Sequence, residues 1–365
     1  MRKRVAVVGG SGAWGRKYLR AYAARSDCRM VALVDRHPER RRLCADFYGI
    51  ENVFDSLEAL FEREIPDIVS IIVPVPVNPG LVLACAEAGV KAVSCEKPIA
   101  VQLSVADEVV RICTERGSML SCGNAFWEMP NFLEIVDWIH AGNIGRVTGI
   151  EISRGVPHEI AGGACPDLVM VRHILDSEAV WVEGHALPHR EDWTFPDDTL
   201  PEERDGPMHG RIGYANGVVC EIPPPREDVA RLSVHGENGH VFFQGHQPAL
   251  IQGKGHEARM AYLKSLAVRE DWHYIPGAIE RVVRSFETGQ TPLSNGHDYR
   301  QALEIAIAMK LSDKQGHERV ALPLSDRSAR IFPEPYRYHG GDGMELDSHT
   351  DMRRIERELN RWSHG

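Results

Sequence analysis

A run of glycines between an apolar segment and an amphipathic segment constrains the fold of this chain more than any other feature. The run reads Gly9-Gly10-Ser11-Gly12-Ala13-Trp14-Gly15 and follows a β-rich stretch at residues 4–8. It satisfies G-x-G-x-x-G, and equally G-x-x-G-x-x-G if Gly9 is counted. Backbone N–H groups of such a loop, with the N-terminus of the next helix, can bind a pyrophosphate that side chains would exclude. The sequence therefore predicts a dinucleotide site that includes Gly10, Ser11, Gly12, Ala13, Trp14 and Gly15.

An acidic residue at the end of the next apolar run indicates which dinucleotide binds. Residues 30–34 read as a buried strand that ends at Asp35, 20 residues after Gly15. A carboxylate there can accept hydrogen bonds from both ribose hydroxyls and repels a 2′-phosphate, which favours NAD. Arg36 and the arginines at positions 40–42 leave NADP open, because an arginine beside the ribose accommodates that phosphate; otherwise they form a solvated helix face.

Short apolar runs alternate with amphipathic stretches over the first 122 residues. Strands are predicted at 4–8, 30–34, 68–73, 92–95 and 119–122, and helices at 16–24, 38–48, 56–63, 81–88 and 105–116. This alternation is typical of a parallel, doubly wound sheet.

The pattern changes after Gly123. A helix is predicted at 132–140, strand-rich segments at 145–154 and 208–243, and helices at 279–288 and 299–313. We therefore expect an α/β protein with an N-terminal Rossmann domain at residues 1–122. A C-terminal α/β domain with a large, mostly antiparallel open sheet should follow at 123–330, and an arm with a helix at 331–365.

The last 35 residues form an unusual tail. Prolines and paired glycines make its first part irregular, and a helix follows with Met352, Ile355, Leu359 and Trp362 on one face. Because such a stripe is unlikely to face water, we expect it to be buried on a neighbouring subunit.

Composition excludes several classes of protein. Asp and Glu outnumber Lys and Arg by 52 to 42, a net charge of −10 that disfavours nucleic-acid binding. No apolar run is long enough to span a membrane, and the basic N-terminus leads into too short an apolar run for a signal peptide. The eight cysteines contain no C-x-x-C pair and read as buried residues in a reducing compartment, which predicts a cytoplasmic protein.

A lysine follows the fourth predicted strand of the parallel sheet. Glu96-Lys97-Pro98 lies directly after residues 92–95, at the edge where open α/β sheets place their ligands. Partial burial and a nearby cofactor cation would lower the pKa of the Lys97 amine toward working pH. Lys97 is therefore a candidate to take a proton from a substrate hydroxyl, although a surface ion pair with Glu96 is the alternative from this motif alone.

These motifs, in this order, resemble the glucose–fructose oxidoreductase/inositol dehydrogenase/MocA family. The resemblance includes the glycine loop, Val73-Pro74 followed by Asn78, Glu96-Lys97-Pro98, Gly123-Asn124, 141–145, Gly162-Gly163, the 234–239 turn and 289–292. It spans about residues 4 to 324, and Glu-Lys-Pro is its most specific element. It implies a nicotinamide cofactor, a sugar or polyol substrate, a homodimer or homotetramer, and cofactor contacts from Pro74, Asn78 and Glu96.

The second catalytic motif of that family is altered in this chain. After Gly162-Gly163 the family has an Asp, then His four residues later, and often a further Asp. His173 and Asp176 match the end of that motif, but Val169 stands where the first Asp is expected. The resemblance thus implies Lys97 and His173 as catalytic residues, with Asp167 or Arg172 as substitutes for the missing carboxylate. A core histidine is the alternative for His173, and a structural role is the favoured one for Asp176.

Other side chains are weaker candidates. Trp14, Trp127 and His158 are placed to cover the apolar faces of a sugar ring, although ordinary packing explains each of them. No histidine spacing indicates a metal site.

The sequence is best interpreted as an NAD-dependent dehydrogenase acting on a secondary hydroxyl of a sugar, glycoside or cyclic polyol. One alternative is an NAD-dependent glycosidase that works through transient oxidation at C3 and elimination. The other is a nucleotide-binding regulatory protein without catalysis, which the altered motif at Val169 keeps open.

Overall fold

The computed structural model describes residues 2–123, 132–156, 158–189, 191, 204–244, 248–263, 274–334 and 337. Two sheets organise them. Trp127 and the four apolar residues of the tail helix lie outside these ranges, so the predictions for them stay untested.

The first sheet has six parallel strands in the order β3-β2-β1-β4-β5-β6. The strands are β1 (Lys3–Val8), β2 (Cys28–Val34), β3 (Asn52–Phe54), β4 (Ile68–Ile71), β5 (Ala92–Cys95) and β6 (Met119–Cys122). This is the strand order of a dinucleotide-binding Rossmann fold, whose topological switch lies between β1 and β4. The predicted parallel sheet is confirmed, and β3 is a short strand that the sequence pattern did not indicate.

Helices cover both faces of this sheet. They are α1 (Ala13–Ala23), α2 (Pro38–Tyr48), α3 (Leu57–Phe61), α4 (Asn78–Glu87) and α5 (Leu103–Arg116). One face carries α1 and α2 and, from much later in the chain, α8 (Tyr274–Thr288), whose Ile279 and Val283 are buried with Val5 and Leu33. Helix α8 comes long after residue 122 and still packs on the first sheet, so the first sheet is not covered by residues 1–122 alone. The domain boundary after residue 122 remains a prediction.

The second sheet has nine strands among the described residues, in the order β14-β13-β12-β11-β7-β10-β9-β8-β15. They are β7 (Val147–Glu151), β8 (Ala179–Ala186), β9 (Met208–Tyr214), β10 (Val219–Ile222), β11 (Leu232–Gly236), β12 (Gly239–Phe243), β13 (Ala249–Gln252), β14 (Arg259–Ala261) and β15 (Val320–Ala321). Neighbours run antiparallel except β7 and β10. The expected mostly antiparallel sheet is therefore present.

Three helices accompany the second sheet: α6 (Phe132–His140), α7 (Cys165–Leu175) and α9 (Gly296–Lys314). A turn of π-helix, Ile160–Ala164, leads into α7. Close packing of α9 on β8 requires Gly184, where an added Cβ would lie 2.6 Å from Met309 O.

The start of the tail packs on this chain itself. Ile331, Phe332 and Glu334 are buried, and the Val75 N–H donates a 2.9 Å hydrogen bond to the carbonyl of Arg337. This part of the tail therefore reaches the end of the first sheet in its own chain.

All eight cysteines are buried and none forms a disulfide. Among the described helices, none combines the length and apolar character that crossing a membrane would require.

Candidate active site

A cavity of about 970 Å³ lies between the carboxyl edge of the first sheet and the start of α7. That volume is at the upper end of the range for cofactor and ligand sites. Residues from distant parts of the chain line it, among them Gly9, Gly12, Trp14, Asp35, Arg36, Pro74, Glu96, Lys97, Arg154, His158, Gly163 and Arg337.

The glycine loop forms one end of the cavity, and its backbone positions exclude side chains. A Cβ on Gly9, where φ is +73°, would lie 2.1 Å from Ile72 O, and one on Gly15 would lie 2.1 Å from Gly9 O. A Cβ on Gly10 would meet Leu33 Cδ1 at 2.6 Å. Helix α1 then begins at Ala13, and the first N–H groups of a helix have no acceptor within it. Loop and helix N-terminus together fit a pyrophosphate.

Asp35 lies at the cavity wall and is held by the same loop. Its Oδ2 accepts hydrogen bonds from Ser11 Oγ at 2.6 Å and from Ser11 N at 3.1 Å, and its Oδ1 accepts one from His37 N at 3.0 Å. The carboxylate is thus fixed where the ribose of a bound dinucleotide is expected. Ser11 therefore acts through Asp35, and it does not line the cavity.

The arginines after Asp35 divide into two groups. Arg36 and Arg40 line the cavity, as does His37. Arg41 donates to the carbonyl of Asp35 at 2.6 Å, and Arg42 pairs with Asp46 at 3.1 Å on the surface of α2. Only the first group is placed to meet a 2′-phosphate.

Glu96 connects the loop to the edge of the sheet. Its Oε1 accepts hydrogen bonds from Trp14 Nε1 at 3.0 Å and Tyr18 Oη at 2.8 Å, and its carbonyl accepts one from Asn78 Nδ2 at 3.1 Å. Asn78 is buried and shapes this edge without lining the cavity. Trp14 lines the cavity and is 38% exposed, with the Lys17 ammonium 3.9 Å from its ring centroid.

Lys97 lies at the centre of the cavity wall, just past β5. Its Nζ donates a 2.8 Å hydrogen bond to the carbonyl of Gly162, at the turn that leads into α7. Burial, followed by the positive charge of Arg337, lowers the pKa of Lys97 from its ordinary value. The amine is therefore suited to proton exchange, as the sequence analysis expected.

The paired glycines before α7 make room for side chains on the far side of the cavity. A Cβ on Gly162 would lie 1.9 Å from Glu159 Oε1 and 2.3 Å from Arg337 Nε. A Cβ on Gly163 would lie 2.3 Å from His158 Cβ. Lys97, His158 and the Glu159–Arg337 pair therefore converge on one short stretch of backbone.

His158 is bound to the tail. Its Nδ1 lies 2.6 Å from Glu334 Oε1, and its side chain is 50% exposed whereas that of Glu334 is 4% exposed. Burial opposes ionisation of Glu334, but the hydrogen bond with His158 and the charge of Arg337 lower the pKa of this carboxyl below its ordinary value. Lys97 and His158 thus line the same cavity. The sequence had indicated His158 only as a weak candidate for substrate contact.

Arg337 and Glu159 form a buried pair beside His158. Arg337 Nε donates to Glu159 Oε1 at 2.8 Å, and Arg337 Nη2 lies 3.5 Å from Glu334 Oε2. Burial raises the pKa of Glu159 to about 7, since the attraction of Arg337 is insufficient and Glu334 adds repulsion. Sequence reasoning missed Glu159, Glu334, Arg337 and Arg154, because no spacing joins residues near 158 to residues near 334.

Asp167 is a structural ion-pair residue. It is 1% exposed in the first turn of α7, where Arg231 donates to its Oδ1 and Arg154 Nη2 lies 3.4 Å from its Oδ2. Arg154 itself lines the cavity, so Asp167 reaches the site through that arginine. The expectation that Asp167 contacts the substrate directly is not supported by this position.

His173 is not among the residues that line the cavity with Lys97, so the pairing expected from the sequence stays a prediction. Pro166 lines the cavity, and His173 follows seven residues later, roughly 10 Å further along α7. His173 Nε2 lies 3.3 Å from Asp298 Oδ2, and Arg172 Nη1 lies 2.6 Å from Asp298 Oδ1. Asp298 belongs to the capping box of α9. His173 and Arg172 therefore fix one helix against another.

Asp176 is the C-cap residue of α7, with φ of +43°, and is exposed. The structural role favoured for it fits this position.

Comparisons with known proteins agree with this geometry. Residues 3–124 match a family model described as an oxidoreductase family with an NAD-binding Rossmann fold. The chain is 32% identical over 136 residues to a D-apiose dehydrogenase of Paraburkholderia graminis, covering 37% of this chain and 36% of the relative. It is 29% identical over 200 residues to a dTDP-3,4-didehydro-2,6-dideoxy-alpha-D-glucose 3-reductase of Streptomyces violaceoruber, covering 51% and 58%.

The matched segments thus span about a third to three fifths of those relatives' lengths. The whole fold is similar to that of an oxidoreductase from Agrobacterium radiobacter, solved with NAD⁺, L-tartaric acid and magnesium. The TM-score is 0.69 at 19% identity, and the match covers 88% of this chain and 98% of the other.

Proposed function

We propose that this chain, whose residues 3–124 match the family model, is a member of the glucose–fructose oxidoreductase/inositol dehydrogenase/MocA family and an NAD-dependent oxidoreductase of carbohydrates. Its substrate is a sugar, glycoside or cyclic polyol, and the group that it oxidises is a secondary hydroxyl. The observation that carries the proposal is the shared cavity: the glycine loop, Asp35 and the Lys97 amine face one space of about 970 Å³.

The residues of the chain have separate tasks in this reaction. The loop and the N-terminus of α1 hold the pyrophosphate, and Asp35 binds the adenosine ribose. Lys97 accepts the hydroxyl proton, aided by the lowered pKa of its amine. Bound in this cavity, NAD⁺ would supply the hydride acceptor, so oxidation of the hydroxyl would give a ketone, NADH and a proton.

Asp35 supports NAD over NADP. Its carboxylate is buried and fixed by three hydrogen bonds, so it cannot easily move away from a 2′-phosphate. Arg36 and Arg40 at the same wall are the residues through which NADP would bind.

Of the alternatives, no observation specifically favours the glycosidase. A lysine amine directed into the cavity argues against a protein that only binds nucleotides. We further propose a cytoplasmic homodimer or homotetramer. The buried cysteines, none of which forms a disulfide, support the compartment. The family resemblance supports the oligomer, and light scattering of the purified protein tests the oligomeric state.

The deciding experiment is a reduction screen. The purified protein is mixed with NAD⁺ or NADP⁺ and a panel of sugars, polyols and glycosides, and formation of reduced nicotinamide is followed by absorbance. Oxidation of at least one member supports the proposal. Failure of every member with a protein that binds NADH overturns it, and release of an aglycone without net reduction identifies the glycosidase instead.

A further inference from the structure

We propose that His158 is the second proton-transfer group of this site, that Glu334 positions it, and that the C-terminal segment therefore completes the active site. The proposal rests on the proposed oxidoreductase function and adds to it the route by which the proton leaves.

The first observation is the position of His158. Its ring lies over Gly163, while Lys97 Nζ donates to the carbonyl of the adjacent Gly162. Both side chains line the same cavity. Lys97 is less exposed than His158, whose side chain is 50% exposed. His158 is thus the group of the two with the more open path to water.

The second observation is the tautomer that Glu334 imposes. A buried, ionised carboxylate accepts a hydrogen bond, so the 2.6 Å contact requires a proton on Nδ1 of His158. The neutral ring then carries its lone pair on Nε2, the nitrogen that can accept a proton from the cavity. A carboxylate that fixes the tautomer and stabilises the imidazolium is a known way to prepare a histidine base.

The third observation is that the tail is anchored where it supplies Glu334. Arg337 bonds Glu159 at 2.8 Å, and its carbonyl accepts from Val75 N at 2.9 Å. These contacts tie the segment to the turn before α7 and to the edge of the first sheet. Together with the buried side chains of Ile331 and Phe332, they hold the Glu334 carboxylate beside His158.

Oxidation of the hydroxyl removes one proton and one hydride from the substrate. The substrate O–H bond breaks as its proton moves to Lys97 Nζ and the hydride leaves from carbon. Lys97 then passes a proton to Nε2 of His158, which returns it to water. The pair therefore takes one proton for each hydroxyl oxidised, and reduction runs the same steps in reverse.

The test compares variants with the oxidisable substrate found in the reduction screen. His158→Ala should lower kcat about 10²-fold, the usual scale for a positioned acid–base group, and added imidazole should restore part of the loss. NADH affinity should stay within twofold. His297→Ala is the matched control, because His297 is similarly exposed (47%) and pairs with Glu178 at 3.4 Å outside the cavity lining.

Glu334→Gln tests the positioning role. It should lower kcat about tenfold and move the acid limb of the kcat/KM profile to lower pH, because the imidazolium loses its carboxylate. The other charged groups near His158 are Glu159 and Arg337, and Lys97 and Arg154 line the same cavity; all of them are retained in this variant. Ring-nitrogen NMR of the wild type should show a proton on Nδ1 of neutral His158.

The results separate two failures. If the wild type oxidises a substrate but His158→Ala keeps turnover within twofold, or imidazole restores nothing, the role of His158 is overturned and the oxidoreductase function stands. An unchanged pH profile in Glu334→Gln, or a proton on Nε2, removes Glu334 from the mechanism. A wild type that binds NADH but oxidises nothing in the panel overturns the proposed function and the proton route with it.

Discussion

The two walls of the cavity are built in different ways. The nucleotide wall comes from short segments of one sheet: the loop at residues 9–15, Asp35 after β2 and Lys97 after β5. The opposite wall includes Arg154, His158, Gly163 and Pro166, and ion pairs connect this part of the chain to the distant residues Glu334 and Arg337. Local motifs therefore form the wall that is proposed to bind the cofactor, whereas tertiary contacts assemble the groups that are proposed to face the substrate. The predictions below probe that division.

The largest effect is expected at Lys97. Lys97→Ala should abolish measurable turnover, a loss of roughly 10²- to 10⁴-fold, because the amine acts on the hydroxyl proton. NADH affinity, measured by titration, should change only a few-fold, since the loop holds the pyrophosphate. Near-normal turnover in this variant would remove Lys97 from the reaction.

A smaller but still large effect is expected at Gly163. Gly163→Ala introduces a Cβ 2.3 Å from His158 Cβ and should displace the imidazole, lowering kcat about tenfold or more with NADH affinity retained. Gly149→Ala in β7 is the control, because no atom lies within 4 Å of its added Cβ. Equal kinetics for the two variants would show that the position of His158 does not matter.

Substitution of Asp35 should change the ratio of NAD affinity to NADP affinity by about tenfold. The wild type should bind NAD more tightly than NADP, and Asp35→Asn should narrow that ratio by removing the repulsion of the 2′-phosphate. Ser11→Ala loses one of the three hydrogen bonds to Asp35 but keeps the charge, so it should narrow the ratio less than Asp35→Asn does. Calorimetric titrations with both cofactors measure this, and tighter NADP binding by the wild type would assign the ribose contact to Arg36 and Arg40.

The smallest effect is a pH-dependent change in stability at Glu159. Its pKa is raised from 4.5 to about 7, so the folded state binds the proton of Glu159 more tightly than the unfolded state does. The stability of the wild type therefore falls as the pH rises from 4.5 to about 7. The side chain in Glu159→Gln is neutral at every pH, so this variant does not lose stability in this way as the pH rises. Its melting temperature should therefore exceed that of the wild type by a few degrees at pH 8 and be close to it at pH 5. If the melting temperatures of the variant and the wild type differed more at pH 5 than at pH 8, the raised pKa of Glu159 would be contradicted.

Regular elements were predicted where one face of the pattern is buried. Helix α2 and strands β5 and β6 have the predicted bounds, and α8 and α9 begin a few residues earlier than expected. Strands β3, β14 and β15 have two or three residues, too few to show an alternation, and β8 was also missed. Edge strands are defined by their partners more than by their own sequence.

The two histidines show where sequence reasoning reached its limit. His173 matched a family motif, yet its ring contacts Asp298, in the cap of α9. His158 matched no motif, yet it lines the cavity because Glu334 holds it there. Motif position on a helix cannot decide this, since the direction of a side chain depends on where its helix begins and on what packs against it.

The sequence by itself determined the nucleotide-binding wall, because a tight glycine turn, a strand-end carboxylate and Glu96-Lys97-Pro98 are local patterns whose physical requirements are met within a few residues. Only the tertiary structure decided which groups oppose Lys97. The tail returns to the first sheet and buries Glu334 and Arg337 beside Gly162 and Gly163, and no local pattern encodes a contact between segments so distant along the chain.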